Sequence, residues 1–272
     1  MLSSFSTRLA VVLLVASLLC QGCDKSRQDR ALLRKQLAQG DSVDVTALSA
    51  ICARMGSEAS EIVRREVRSA RSAVRQVRLI QGLLDCDLHG NVAWGVDAVC
   101  EIGLGEQSLA QFLRGRVDHR AREVLQAYVT TAVDCKLVVA CSIIQLVADD
   151  QWSLRFAKDR LQPGFARGSE VDALLLLLGD AAYLNDDSDA VEVAAPYLED
   201  ASHRLSALIA LSRIPGDRAL QLLRSFANDE RLDDSLLIER LLESREEVFS
   251  KRYAAPGWPE GDAHPDTGKS PD

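Results

Sequence analysis

The sequence predicts an all-α fold, an α-solenoid of about five irregular helix-pair units, and three observations carry that expectation. The stretch Asp200–Asp229 reads as two short amphipathic helices joined at Pro215-Gly216, and much of the chain looks like looser versions of it. The composition is 47% hydrophobic but only 5% aromatic, so the apolar content is largely Leu, Ala and Val, which favours helices. Glycine and proline fall between the periodic segments rather than inside them, as turn punctuation does. Helices this short are marginal alone. Stacking their pairs gives each apolar stripe a partner, which is the logic of a solenoid.

Residues 1–22 read as a targeting segment. Arg8 supplies the positive start, and Leu9–Leu19 is an apolar run too short to span a bilayer stably. Gly22 directly before Cys23 resembles the lipobox of bacterial lipoproteins, where cleavage precedes a cysteine that then carries acyl chains such as palmitate. Cys20 stands where a Leu is usual in that pattern. The resemblance implies lipidation of Cys23 and anchoring in the cell envelope, on the periplasmic face of the inner or outer membrane or at the cell surface. Asp24 resembles an inner-membrane retention signal, and the choice of membrane stays open. Acyl anchoring needs no transmembrane helix.

Residues 23–40 form the anchor and a spacer, with a charged helix that has a thin apolar edge at Leu33 and Leu37. The solenoid domain is expected over 41–250. Its first helix runs from Asp41 to Gly56, with Val45, Leu48, Ile51, Cys52 and Met55 inward. Ser57 then caps one long helix from about Glu58 to Leu84. On it Arg64, Arg68, Arg71, Arg75 and Arg78 recur every three or four residues, so they share one stripe, with Arg65 nearby. Val63, Val67, Ala70, Val74 and Val77 form the apolar stripe beside it. Two readings stand: an anion-binding ridge for phospholipid headgroups, an acidic envelope polymer or an acidic protein face, or a solvated face partly paired with acids such as Asp41 and Asp44.

Further helices are expected over Asn91–Gly105, Gln107–Gly115, Arg120–Val133, Cys135–Ala148, Trp152–Leu161, Ser169–Leu184 and Ala190–Leu198. The loop Asn185–Asp189 lacks the spaced glycine and closing glutamate of a calcium loop and reads as a cap for the next helix. In the unit 200–229, Ala201, Leu205, Leu208, Ile209 and Leu211 or Ser212 share a stripe, Pro215 stops the first helix, and Leu220, Leu223 and Phe226 line the second. Asp200, His203, Arg204, Ala207, Ala210, Leu211 and Ile214, followed by Ala219, Leu222 and Leu223, resemble a HEAT repeat of the phycobilisome-lyase-like kind. The resemblance covers about one unit, and it implies a right-handed solenoid used for binding, with no catalytic residues to carry over. A last helix over Leu232–Ser250 turns Leu237, Leu241 and Val248 inward and its glutamates outward, as a solenoid end requires. Residues 251–272 are a Pro-, Gly- and Asp-rich tail, expected to be disordered, with Trp258 as a candidate peptide anchor.

Five cysteines follow Cys23. Cys86 and Cys135 each follow an Asp, precede an expected inner helix and stand about one unit apart, so Cys86–Cys135 is the first candidate disulfide; Cys52–Cys86 and Cys52–Cys100 stay open as alternatives. No histidine sits in a ligand spacing, and no CxxC, GxSxG, P-loop or GxGxxG is present. No metal, cofactor or catalytic residue is therefore assigned. The net charge of -8 argues against nucleic acid as a partner. The expectation is a membrane-anchored, non-catalytic protein-interaction scaffold. The alternatives are an assembly accessory of an envelope complex, or a binder of anionic lipid or polymer through the Arg-rich helix.

Overall fold

A computed structural model describes residues 25–103, 106–114, 116–145, 151–162, 164–227 and 235–253. The targeting segment, Cys23 and the tail from 254 onward, with Trp258, lie outside the described residues. The described chain is all-α, with fourteen helices and no strand among those residues. Its described residues fall into two compact units, one within 1–147 and one within 148–272.

The first unit holds α1 over 25–37, α2 (Val45–Met55), α3 (Ser57–Ser69), α4 (Ala73–Cys86), α5 (Leu88–Glu101), α6 (Glu106–Leu113), α7 (His119–Val129) and α8 (Asp134–Ile144). The punctuation explains most boundaries. Asp44 caps α2 by accepting the Ala47 N–H at 3.1 Å, and Gly56, at φ 62°, ends α2 and turns the chain directly into α3. Asp87 caps α5 through the Gly90 N–H, and Asp118 caps α7 through the Ala121 N–H. The core is aliphatic: Leu48, Leu79, Ile80, Leu83, Leu84, Leu113, Leu125, Leu137, Ile143 and Ile144 are fully buried.

The expected single helix 58–84 is two helices. Ala70 and Ser72 are extended, and Ser72 Oγ accepts the Arg75 N–H to start α4. Serine competes well for a cap and poorly for a helix interior. The break also lets Gln76 Nε2 reach the Val67 carbonyl at 3.1 Å, closing the last turn of α3. The apolar stripe splits with it. Val63, Val67 and Ala70 are buried on α3, but Val74 is 55% exposed, and α4 buries Leu79, Ile80, Leu83 and Leu84 instead.

Helices two apart in this unit run parallel, tied by polar pairs at recurring separations. His89 and Asp97 on α5 face Asp118 and Tyr128 on and before α7, at separations of 29 and 31 residues. Arg116 pairs with Asp85 at a separation of 31. The Ala121 N–H and then the His89 imidazole hold the Asp118 carboxyl below its usual range, while burial and then Asp97 push the Tyr128 hydroxyl up.

The disulfide joins Cys100 and Cys135, with Cα atoms 5.8 Å apart, and Cys86 is a free thiol. This corrects the Cys86–Cys135 candidate. That pairing placed Cys86 and Cys135 at the same height, each ahead of an inner helix, but Cys86 is the last residue of α4 and Asp87 caps α5. Cys100, by contrast, lies at the C-terminal end of α5, which packs on α8 where Cys135 begins it.

Cys52 and Cys86 are free thiols, and Cys52 is fully buried. Burial first, then Cys86, pushes the Cys52 thiol up to about 12. The unfolded thiol keeps its ordinary value near 9. Below that value neither state ionises and stability is flat. Above it the unfolded chain loses a proton that the folded chain keeps, so stability falls with pH until about 12. We expect the urea midpoint of the reduced protein to hold between pH 7 and 9. Beyond 9 the unfolding free energy declines by about 1.4 kcal/mol per pH unit from this thiol alone, and the midpoint falls with it. Cys52→Ala is expected to remove that decline, and a decline that persists in the variant would assign it to another group.

The second unit holds α9 (Gln151–Arg160), α10 (Ser169–Asn185), α11 (Val191–Ala194), α12 (Arg204–Arg213), α13 (Asp217–Ala227) and α14 (Ser235–Tyr253). The expected helix 190–198 is one short turn of α-helix, α11, between two 3-10 turns, with Pro196 in the second. Asp187 caps the first of these turns and pairs with Lys158 at 2.8 Å, as expected of a capping loop. On α12 the buried face is Ala207, Leu208, Ala210 and Leu211, continued by Ile214, while Leu205 is 51% exposed. Small Ala207 and Ala210 let α12 approach α10. Gly179 on α10 sits so close to Ala210 that an added Cβ would lie 2.8 Å from its Cα. Asp172–His203 and Asp180–Arg213, at separations of 31 and 33 residues, tie these two parallel helices along their length.

α14 buries Ile238 rather than Leu237, and one turn beyond Leu241 and Leu242 it buries Arg245. The Arg245 guanidinium donates to the carbonyls of Leu211 at 2.9 Å, Ile214 at 2.5 Å and Gly216 at 2.9 Å. A long-range arginine thus closes the C-terminal end of α12, where carbonyls lack helical donors and the helix dipole is negative.

Candidate functional site

The five arginines singled out by spacing fall on two helices and a connection, and most are used inside the fold. Arg64, on α3, donates to the Asn91 Oδ1 at 2.7 Å, and its guanidinium lies 5.1 Å from the centre of the Trp94 ring. Asn91 is buried and donates onward to the carbonyls of Leu83 and Asp87. Arg64 therefore pins α3 to α5 and, through Asn91, to the end of α4. Arg75 donates to the Leu37 carbonyl at 2.9 Å and pairs with Glu66. Arg78 donates to the Val43 carbonyl at 3.0 Å. These contacts fix α4 to the turn before α2.

Arg68 and Arg71 are exposed. Arg68 meets Glu101 only at 3.8 Å, with both side chains more than half accessible, an arrangement worth little in water. Arg71 lies in the connection between α3 and α4. Arg65 is also exposed and reaches back to the Glu61 carbonyl in its own helix. The free cationic surface is thus Arg65 and Arg68, in the C-terminal half of α3, with Arg71 in the connection that follows. The acids that meet the stripe are Glu66 and Glu101, not Asp41 and Asp44.

Spacing could locate the stripe but not divide it. The signal that was available lay in Ser69 and Ser72, which flank Arg71 and favour a helix end there. Asn91 carries no local mark of its role as a hub, because a buried asparagine is recognised only by its partners. Among the described residues, no three His, Cys, Asp or Glu side chains converge as a metal ion would require, and no helix is long and apolar enough to cross a membrane. No protein family, no curated protein and no solved structure matches this chain.

Proposed function

We propose that the chain is a lipid-anchored, non-catalytic interaction scaffold of the cell envelope, built from HEAT-like helix pairs in a right-handed solenoid. The observation that carries the reading is the packing within each unit, where helices two apart lie parallel and are tied by pairs near 31 residues apart. Stacked pairs of this kind present extended surfaces and suit binding more than enclosing a reaction. The run Leu9–Leu19 followed by Gly22-Cys23 supports acylation at Cys23. Arg68 and Arg71 supply the contact face towards an acidic protein partner.

A second reading, an assembly accessory that packs permanently within an envelope complex, draws support from Arg64, Arg75 and Arg78, which serve internal contacts. One experiment separates the two. The native protein is crosslinked in its own membranes and its partners are identified by mass spectrometry. Under the scaffold reading, Arg68→Glu with Arg71→Glu reduces capture roughly tenfold, and added salt does the same, because exposed charge pairs contribute about 0.5–1 kcal/mol each. Under the accessory reading a stoichiometric complex survives both treatments. Loss of incorporated alkyne-palmitate in Cys23→Ala tests the anchor, and label retained in that variant would refute it.

A further inference from the structure

The register between α2 and α4 places two of the free thiols opposite each other. Arg75 reaches the Leu37 carbonyl, Arg78 reaches the Val43 carbonyl, and Gly82 meets the Leu48 side chain, where an added Cβ would lie 2.6 Å from Leu48 Cδ2. These contacts climb both segments in the same direction, so α2 and α4 run parallel. One turn beyond the Leu48–Gly82 contact stand Cys52 and Cys86, each four residues on, along the same faces. Gly82 has no side chain, so the helices come close at that level, as a disulfide between them requires. Cys52 is fully buried and Cys86 is half-buried at the end of α4. The charge on Cys86 is felt at Cys52, where it is among the causes that raise the thiol.

We propose that Cys52 and Cys86 are a disulfide-forming pair, separate from Cys100–Cys135, in which Cys86 is the entry thiol and Cys52 the buried resolving thiol. The oxidant is a small or protein disulfide. The Cys86 thiolate attacks one sulfur of it, the S–S bond of the oxidant breaks, and one half leaves as a thiolate that takes up a proton. Cys86 then carries a mixed disulfide. Cys52 gives up its proton and attacks Cys86 Sγ, displacing the second half. The protein loses two protons and two electrons, and the oxidant gains both as two thiols. Burial, and then Asp87, raise the Cys86 thiol above its ordinary range. The closure is therefore slow at neutral pH and accelerates about tenfold per pH unit as the thiolate fraction rises.

The test uses the full-length folded protein with Cys100–Cys135 intact. It is incubated with glutathione disulfide at pH 7, 8 and 9, quenched by alkylation and mapped by non-reducing proteolysis and mass spectrometry. The expected result is a Cys52–Cys86 linked peptide and loss of both sites from alkylation, at rates rising with pH. Cys52→Ser is expected to trap glutathione on Cys86, and Cys86→Ser to leave Cys52 unmodified. Persistent alkylation of both thiols in the unsubstituted protein, stable glutathione on its Cys86, or linkage of Cys52 to Cys141 overturns the proposal without recourse to any variant.

Discussion

Gly179→Leu is expected to destabilise the second unit by about 3 kcal/mol or more, the upper range for forcing atoms into a filled core. A Cβ at this position meets the Ala210 Cα at 2.8 Å and its carbonyl oxygen at 3.0 Å. These are backbone atoms of α12 and cannot rotate aside. Relief requires α10 and α12 to separate, which would pull apart the Asp172–His203 and Asp180–Arg213 ties on the same helix pair. Gly179→Ala is the sharper test. At an exposed helix position this change gains about 1 kcal/mol in helix propensity. Here the clash outweighs that gain, and urea unfolding followed by circular dichroism should show a net loss. A stabilised Gly179→Ala protein would mean that the two helices are not in close backbone contact.

Replacing Arg245 with Met is the second large effect, a loss of about 3 kcal/mol. The aliphatic stem can be replaced by Met, but the fork that serves Leu211, Ile214 and Gly216 cannot. Those carbonyls would be left at a largely buried helix end, and the stacking of the guanidinium on Phe249, at 4.6 Å, would go with them. Arg245→Lys keeps the charge but offers no planar fork, so it should recover less than half of the loss. Amide hydrogen exchange at the end of α12 would localise the effect. Uniform exchange with an unchanged unfolding midpoint would show that Arg245 is not the cap.

Much of the local structure was legible because its causes are local. Gly56 and Pro215-Gly216 each mark a helix end by backbone geometry alone: Gly56 and Gly216 take φ of 62° and 92°, where a side chain is strained. Leu48, Ile51 and Cys52 were placed inward by period, and all three are buried. In 200–229, Ala207, Ala210, Leu211, Ile214, Ala219 and Leu223 are all buried, whereas Leu205, placed inward by period, is exposed. A narrow face built for close helix approach selects alanine over leucine, so hydrophobicity alone misjudged which side was covered.

The chain's periodicity and punctuation determined that it is helical, where most helices begin and end, and many of the aliphatic residues that make the core. The tertiary structure alone decided that the arginine stripe is divided between internal ties and a small free face. It likewise decided that Cys135 meets Cys100 and that a buried arginine on α14 closes α12. The physical reason is range. Caps and amphipathic periods are set within a turn or two of one helix, whereas these pairings join residues about 30 positions apart. Their partners depend on the register between packed helices, which a single broken helix at Ala70–Ser72 or Asp87 resets.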